Sequence, residues 1–291
     1  MNIVATSTVL ATVCLSSLSV AQTARPLDAA RIDAALGRSG AWVQGVYVVD
    51  FPRPDLRVML DGVRLSTMQV LSFATFVGTD DAAEMMGEIC ALPNEVTPAI
   101  ARLRAGGLTI TAVHNHFLGE SPRLTFIHFT SRGPAAGLAR AYRAALAATT
   151  TPLGKPAAVA DRPEPAWAHD VERAMGRPAQ YWPADGTLEV DVMSAHFAPG
   201  PMDYWYESPL FFQAAPRGRI AATGDIMVTA EELDPVLSAL LAHGFRIEGV
   251  HNHMLTERPR VFFVHFWKIA GARDLADGLN ATLAKIAARG P

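Results

Sequence analysis

One stretch of seventeen residues occurs twice in this chain, and it constrains the fold more than any other feature. Val113 to Phe129 reads VHNHFLGESPRLTFIHF, and Val250 to Phe266 reads VHNHMLTERPRVFFVHF. The copies lie 137 residues apart, align without a gap and are identical at eleven of seventeen positions. A repeat at a fixed offset is typical of a duplicated structural unit. We therefore expect two similar halves that pack against each other.

Each copy has the pattern of a hairpin that carries histidines. In the first copy, 108–116 is predicted as a strand and 124–129 as its return partner. Alternate residues of a strand project to one face, so His114 and His116 project together with their Cα atoms roughly 6.6 Å apart. His128 joins them only if the register places it opposite Ala112, because a shift by one residue turns it to the other face.

These histidines form a candidate metal-ligand set. Neutral imidazole binds Zn, Fe, Mn, Ni and Cu, and a divalent transition metal, Zn first among them, is the expected cofactor. The other interpretation is that the histidines only bond to neighbouring backbone or hold the two halves together. The candidate ligands are His114, His116, His128, His251, His253 and His265.

Each hairpin also contains an acid and an arginine. Glu120 and Glu257 are predicted as a further metal ligand or as the catalytic general base on a metal-bound water. Arg123 and Arg260 follow a proline, and there a guanidinium can hold an anionic group of a substrate. Alternatively, each arginine pairs with the glutamate of its own turn and holds that turn closed.

The flanking sequence predicts an α+β protein of two pseudo-symmetric repeats, each with antiparallel strands and two to three helices. Asp28 and Asn94 are predicted helix N-caps, and Thr229 with Glu232 is predicted as a capping box. Asp61-Gly62 predicts a tight hairpin, since both residues favour positive φ. The predicted organisation is a signal peptide at 1–21, a first repeat at 27–148, a linker at 149–165 and a second repeat at 166–290.

The beginning of the chain has the composition of an export signal. Residues 4–20 are apolar or small and end at Ser19-Val20-Ala21, which suits cleavage after Ala21 and a periplasmic or secreted protein. Lipidation at Cys14 is a second interpretation. After cleavage Cys90 is the remaining cysteine, so an internal disulfide is excluded.

The net charge and the hydropathy pattern limit the kinds of partner that this protein can bind. The net charge is −3 and no basic stripe is present, so a nucleic-acid partner is not expected. No other apolar run reaches the ~20 residues of a membrane-spanning helix, so we expect no transmembrane segment in the mature chain. The expected partner is a metal or a small molecule.

Taken together, the sequence resembles the LppY/LpqO family, also called the DUF1259 family. The resemblance is carried by the run from Pro52 to Leu56, by Gly224-Asp225-Ile226, and by both His-Asn-His-x-Leu-x-Glu-x-Pro-Arg hairpins. It implies an exported, sometimes lipid-anchored protein of duplicated architecture. Locally, His-x-His-x-x-x-Glu is also similar to the first half of the cupin metal motif.

Two hypotheses for the function follow. The first is an exported metal-binding protein that acts as a metal-dependent hydrolase or oxidoreductase on a small substrate. The second is a non-catalytic envelope protein that binds a ligand or carries metal. A catalyst needs a concave pocket beside an incompletely coordinated metal, whereas a carrier site is closed or shallow. Symmetry suggests two sites, and the alternative is one site shared at the interface between the copies.

Overall fold

The structure is a computed structural model that describes residues 25–155, 159–200 and 204–289. The predicted signal peptide lies outside the described residues. Within the part of the chain that the structure describes, no helix is both long enough and apolar enough to cross a membrane.

The first repeat combines three helices with a six-stranded antiparallel sheet and a small two-stranded hairpin. The sheet has the strand order β1-β2-β5-β6-β8-β7, and β3 pairs with β4. The elements are α1 Ala29–Leu36, β1 Ala41–Val43, β2 Val46–Pro52, β3 Met59–Leu60, β4 Val63–Arg64, β5 Leu71–Gly78, β6 Ala83–Ala91, α2 Val96–Ala105, β7 Thr109–His114, β8 Thr125–Gly133 and α3 Ala135–Leu146.

The second repeat has the same architecture without the small hairpin. Its sheet has the order β13-β14-β12-β11-β10-β9 and is also antiparallel. The elements are α4 Ala166–Met175, β9 Gln180–Trp182, β10 Thr187–Met193, β11 Glu207–Ala215, β12 Arg219–Thr229, α5 Ala230–Ala242, β13 Arg246–His251, β14 Val261–Ala270 and α6 Ala272–Leu283. The predicted α+β class with two similar halves is confirmed.

The alternation of side chains along the strands produces four layers. In β2, Val49 and Phe51 pack into the core beneath the helices, whereas Asp50 on the opposite face lines a cavity. In β10, Val190 packs beneath the helices of its own repeat and Asp191 lines the same cavity. Since strand neighbours project to opposite faces, each sheet has one face against helices and the other toward the second sheet.

Polar and apolar contacts join the two repeats directly. The Trp205 Nε1 donates to Thr75 Oγ1 across 2.8 Å, and both partners are buried. The Trp267 Nε1 donates to Asp61 Oδ2 across 3.0 Å, and its ring lies edge-on to Phe117 with centroids 5.9 Å apart. A buried apolar cluster therefore continues from the first repeat into the second. The expectation that the copies pack together is met.

Most of the predicted turn and cap residues act as expected. The Asp28 carboxylate caps α1, Asp61 and Gly62 have φ values of 49° and 80°, and Thr229 N donates to Glu232 Oε2 across 2.8 Å. The prediction that Asn94 caps α2 is wrong, because the helix begins one residue later with Glu95 at the N-cap. The Glu95 carboxylate accepts from Leu92 N instead, and that bond closes the preceding turn.

Candidate metal centre

The register of β7 and β8 brings the three histidines of the first repeat to one face. His114 lies opposite Phe126, and Ala112 lies opposite His128. This is the register that the sequence required for His128 to join the pair. On its other side, β8 pairs with β6 and places His128 opposite Glu88. A carboxylate therefore lies in the same cross-strand row as the histidines.

The second repeat builds the same arrangement. Gly249 lies opposite His265, and His251 lies opposite Phe263. Asp225 on β12 lies opposite His265, as Glu88 lies opposite His128. Asp225 follows Glu88 by 225 − 88 = 137 residues, which is the offset of the hairpins. The duplicated unit thus includes the carboxylate as well as the histidines.

The two sets of histidines meet in one cluster. Three pairs of imidazole rings, each with one member from each repeat, approach to short centroid distances, and the outer two pairs are equidistant. These are His114 and His251 at 3.6 Å, His116 and His265 at 4.2 Å, and His128 and His253 at 4.2 Å. An approximate twofold axis therefore passes between His114 and His251. The six histidines therefore form one continuous cluster between the repeats.

The possible ligand atoms lie close enough for one or two metal ions. Three groups have their imidazole nitrogens and carboxylate oxygens within 4.8 Å of one another, and two of the groups mix the repeats. They are Glu88 with His114, His116 and His128; His114 with His251 and His265; and His128 with His251 and His253.

The two carboxylates each approach the imidazoles of their own repeat. A Glu88 oxygen lies 3.2 Å from His116 Nε2 and 3.0 Å from His128 Nε2. An Asp225 oxygen lies 3.0 Å from His253 Nε2. The carboxylates are therefore positioned either to bind metal or to hold the imidazoles in place.

Backbone carbonyls fix the orientation of several imidazole rings. His114 Nδ1 donates to Asn115 O across 3.3 Å, and His251 Nδ1 donates to Asn252 O across 3.3 Å. His265 Nδ1 donates to the carbonyl of Gly224 across 3.0 Å. A proton held on Nδ1 leaves the Nε2 lone pair free, as in histidines that bind metals.

Phenylalanines from the same motif support the outer rings. The His116 ring is parallel to that of Phe126 with centroids 3.4 Å apart, and His253 stacks on Phe263 at 3.6 Å. Both phenylalanines are almost fully buried. The repeated Phe in the motif therefore holds the position of an imidazole.

Several imidazole nitrogens in the cluster have no hydrogen-bond partner among the described residues. The Nε2 atom of His114 is buried without a partner, whereas those of His116, His128 and His253 lie 3.0–3.2 Å from carboxylate oxygens of Glu88 and Asp225 but outside hydrogen-bond geometry. Leaving one buried polar atom unsatisfied costs about 1–3 kcal/mol. An ion bound among these groups satisfies the His114 nitrogen and neutralises the carboxylates that the other three nitrogens contact. This donor chemistry fits a metal.

Electrostatics favour neutral imidazoles. Burial, together with the neighbouring imidazoles, lowers the pKa of His114 and His253, the latter to about 3. Burial likewise holds the pKa values of His128 and His265 below their usual range despite the adjacent carboxylates. These four rings are therefore uncharged at neutral pH, which is the form that binds metals.

The pKa values of the two carboxyl groups are also lowered, which in an acid favours the charged form. Burial by itself raises the pKa of a carboxyl group, but His116 and His128 outweigh it and keep the pKa of Glu88 below its ordinary value. His265, His251 and His253 do the same for Asp225. Both groups are thus ionised at neutral pH.

The glutamates of the hairpin turns lie elsewhere. Glu120 Oε1 accepts from Leu124 N across 2.9 Å, and Glu257 Oε1 accepts from Val261 N across 3.2 Å. Neither glutamate belongs to the three potential ligand groups of the described residues. The acid that the structure brings to the histidines is Glu88 in the first repeat and Asp225 in the second.

The two arginines bond to their own turns. Arg123 donates to the Leu118 carbonyl at 3.5 Å. Arg260 lies 3.3 Å from Glu257 and also donates to the Met254 carbonyl. For Arg260 this is the turn-closing pair that the sequence offered as the second interpretation. Neither arginine lines the cavity described next.

A cavity opens beside the cluster, between the two sheets. Its volume is about 610 Å³, and its wall includes residues of both repeats. The metal-centre residues that face it are Glu88, His116, His128, Asp225, His253 and His265. A small molecule in the cavity can therefore reach the cluster.

One sequence signal for the carboxylates was available. Gly87-Glu88-Ile89 aligns with Gly224-Asp225-Ile226 at the offset of the hairpins, and acidic residues stand at the same position in both. By itself this match indicates only the repeat, because the sequence does not specify that β6 and β12 lie beside the histidine strands.

Comparisons with known structures give distant likenesses. EtuB from Clostridium kluyveri is 14% identical, covering 72% of this chain and 90% of that one, with a TM-score of 0.20. The trimeric bacterial microcompartment shell protein PduB is 13% identical, covering 84% of this chain and 90% of that one, with a TM-score of 0.22. TP0453, in its crystal form I, is 14% identical, covering 88% of this chain and 98% of that one, with a TM-score of 0.19. At these TM-scores none of them supports an argument.

The family comparison is more informative. No curated protein matches the chain. A family profile described as Domain of Unknown Function (DUF1259) matches residues 30–148 and 191–285, which include both hairpins and both carboxylates. The chain therefore belongs to the DUF1259 family.

Proposed function

We propose that this protein binds a divalent transition metal at one centre shared by its two repeats. The observation that carries the proposal is the convergence of buried imidazole nitrogens from both repeats with the carboxylates of Glu88 and Asp225, at distances that allow them to share an ion. The roles of metal ligand extend to all six histidines of the hairpins, with Glu88 and Asp225 completing the donor set.

The donor set restricts the choice of metal. Imidazole and carboxylate suit Zn, Fe, Mn, Ni and Cu. The thiol of Cys90 is buried in a separate apolar cluster and supplies no sulfur ligand. Zinc takes about four ligands. The eight donor groups exceed this number, so the centre suits two ions or one ion with exchangeable positions.

The cavity favours an enzyme over a carrier. A carrier site is closed or shallow, whereas this cluster forms part of the wall of a cavity large enough for a small molecule. A bound metal supplies Lewis acidity or an activated water there, which serves a hydrolase, or redox chemistry, which serves an oxidoreductase. The protein's own residues hold the ion, keep the imidazoles neutral and shape the space for the substrate.

Export belongs to the same proposal. The apolar run at 4–20 and the small residues before Gln22 support a periplasmic or secreted protein. The resemblance to the LppY/LpqO proteins supports the same location.

Elemental analysis of protein purified without an affinity tag tests the proposal. We expect a transition metal in the wild type, since the imidazoles are neutral and their lone pairs converge. The double variant Glu88→Gln/Asp225→Asn should bind it at least about tenfold more weakly, because it loses both anionic groups next to the imidazoles.

The matched control is Glu120→Gln/Glu257→Gln, which removes the same charge from the turns. Its metal content should equal that of the wild type. Wild-type protein that neither contains a transition metal nor takes up Zn, Mn, Fe, Ni or Cu would contradict the proposal. Metal loss in the turn variant with none in the cluster variant would assign the ligand role to Glu120 and Glu257 instead.

A further inference from the structure

The cavity has a second chemical region, formed by carboxylates rather than histidines. Asp50, Glu189, Asp191 and Glu207 all line it. Asp50 and Asp191 are exposed to solvent inside the cavity, because their side chains project into it and protein surrounds them on the other sides. We call these four residues the acidic region.

The acidic region lies at a distance from the metal centre. Along one row of the first sheet, Asp50 pairs with Phe73, Phe73 with Glu88, and Glu88 with His128. Two strand spacings of about 4.8 Å separate Asp50 from Glu88 and three separate it from His128, so the backbone positions of the two regions are roughly 10–14 Å apart. Asp50 on β2 corresponds to Asp191 on β10, as each follows a valine of the equivalent strand. The duplication thus provided both carboxylates.

Burial raises the pKa values of Asp50, Glu189 and Asp191, and for Glu189 the repulsion from the other two carboxylates adds to it. Arg38 attracts the Asp50 carboxylate, but its guanidinium donates its hydrogen bonds to the backbone carbonyls of Asp50, Pro152 and Gly154. Burial raises the pKa of Asp50 to about 6 and, together with Asp191, that of Glu189 to about 7. A bound cation would relieve this repulsion.

An independent observation points to a ligand. Gln69 lines the cavity with only 6% of its surface exposed, and its Oε1 and Nε2 are both buried without a hydrogen-bond partner. It follows Thr67 and Met68, whose backbone N–H groups donate to Asp185 just before β10. Gln69 therefore lies near the start of β10, the strand that carries Glu189 and Asp191. A buried amide with both atoms unsatisfied is costly unless a ligand bonds to it.

The surroundings favour an organic cation over a metal ion. Trp182, Tyr204 and Trp205 line the cavity together with the carboxylates, and the Trp182 Nε1 donates to Glu189 Oε2 across 2.6 Å. Aromatic faces beside carboxylates are typical of sites for ammonium groups. Among the described residues, the acidic region forms no group of three ligand atoms close enough to hold a metal ion, in contrast to the histidine cluster.

We propose that the acidic region binds the ammonium group of a small organic cation, which places the rest of that molecule toward the histidine cluster. The inference extends the proposed function by naming a substrate class, and binding of the ammonium group does not depend on a bound metal.

Calorimetric titration with hexyltrimethylammonium, and with hexan-1-ol as the uncharged probe, tests the inference on the full chain. We expect the cation to bind at least about tenfold more tightly than the alcohol, since charge and cation–π attraction act together. Asp50→Asn/Asp191→Asn should remove that preference. Asp277→Asn, which changes an exposed carboxylate on α6, should retain it.

The titration is run on EDTA-treated and on zinc-loaded protein, which separates this inference from the metal proposal. Cation binding in both states supports the inference whatever the metal content. Equal binding of cation and alcohol, or binding unchanged by Asp50→Asn/Asp191→Asn, would overturn it. Calcium that binds with the same dependence on Asp50 and Asp191 would also overturn it, because the region would then be an inorganic cation site.

Discussion

The double variant His114→Phe/His251→Phe should lose the bound metal and still fold. These rings stack on each other at the approximate twofold axis, and both take part in ligand groups that mix the repeats. Loss of an outer-shell partner weakens metal binding about 10- to 100-fold, so loss of two ligands should exceed 100-fold. Elemental analysis and competition with a chromogenic chelator measure the change.

Phenylalanine is chosen because it keeps an aromatic stack in place of the imidazoles. The larger ring costs about 1–3 kcal/mol in packing, and this is partly offset because the substitution removes the unpartnered, buried Nε2 of His114. The circular dichroism spectrum of the variant should therefore match that of the wild type. His169→Phe, on an exposed helix position, is the control and should keep the metal. Wild-type metal affinity in His114→Phe/His251→Phe would remove these two residues from the ligand set.

Chelation of the metal should destabilise the wild type strongly. Without the proposed ion, the buried Nε2 of His114 has no partner at the interface between the repeats. A ligand at 1,000 times its Kd contributes about 4 kcal/mol to the free energy of unfolding. For a chain of this size we expect EDTA to lower Tm by roughly 10 °C. Differential scanning calorimetry with and without EDTA measures the shift.

The control for chelation is the metal-free variant. His114→Phe/His251→Phe should show the same Tm with and without EDTA, since it has no ion to lose. A wild-type Tm that EDTA leaves unchanged would show that the histidines satisfy one another without metal.

Much of this arrangement is visible in the sequence because it is local. The strand spacing of His114 and His116 and the condition for His128 follow from the two-residue period of a strand. The register that places His128 opposite Ala112 met that condition. Gly62 at φ 80° and the Asp28 cap are also local, since turn and cap geometry depend on neighbouring residues.

The carboxylate that lies beside each set of histidines, Glu88 or Asp225, could not be predicted in the same way. Glu88 reaches His128 because β6 pairs with β8, a contact between strands that the sequence does not specify. Glu120 lies closer along the chain and was the natural candidate. Its carboxylate instead accepts the Leu124 N–H, because a buried turn must satisfy its backbone donors first.

The two sets of histidines meet in one cluster because the two sheets pack face to face. The sequence shows two equivalent histidine sets but contains no signal for the distance between them. The 3.6 Å stack of His114 on His251 arises from the two sheets facing each other, which also creates the cavity. Two separate sites and one shared site have the same sequence pattern.

Metal analysis of variants altered in one repeat tests the shared centre most directly. His116→Ala/His128→Ala changes the first repeat, and His253→Ala/His265→Ala changes the second. Because each ring faces a partner from the other repeat, we predict that either variant retains less than about one tenth of the wild-type metal. If each variant instead retained about half of the wild-type metal at unchanged affinity, the repeats would hold independent sites and the shared centre would be contradicted.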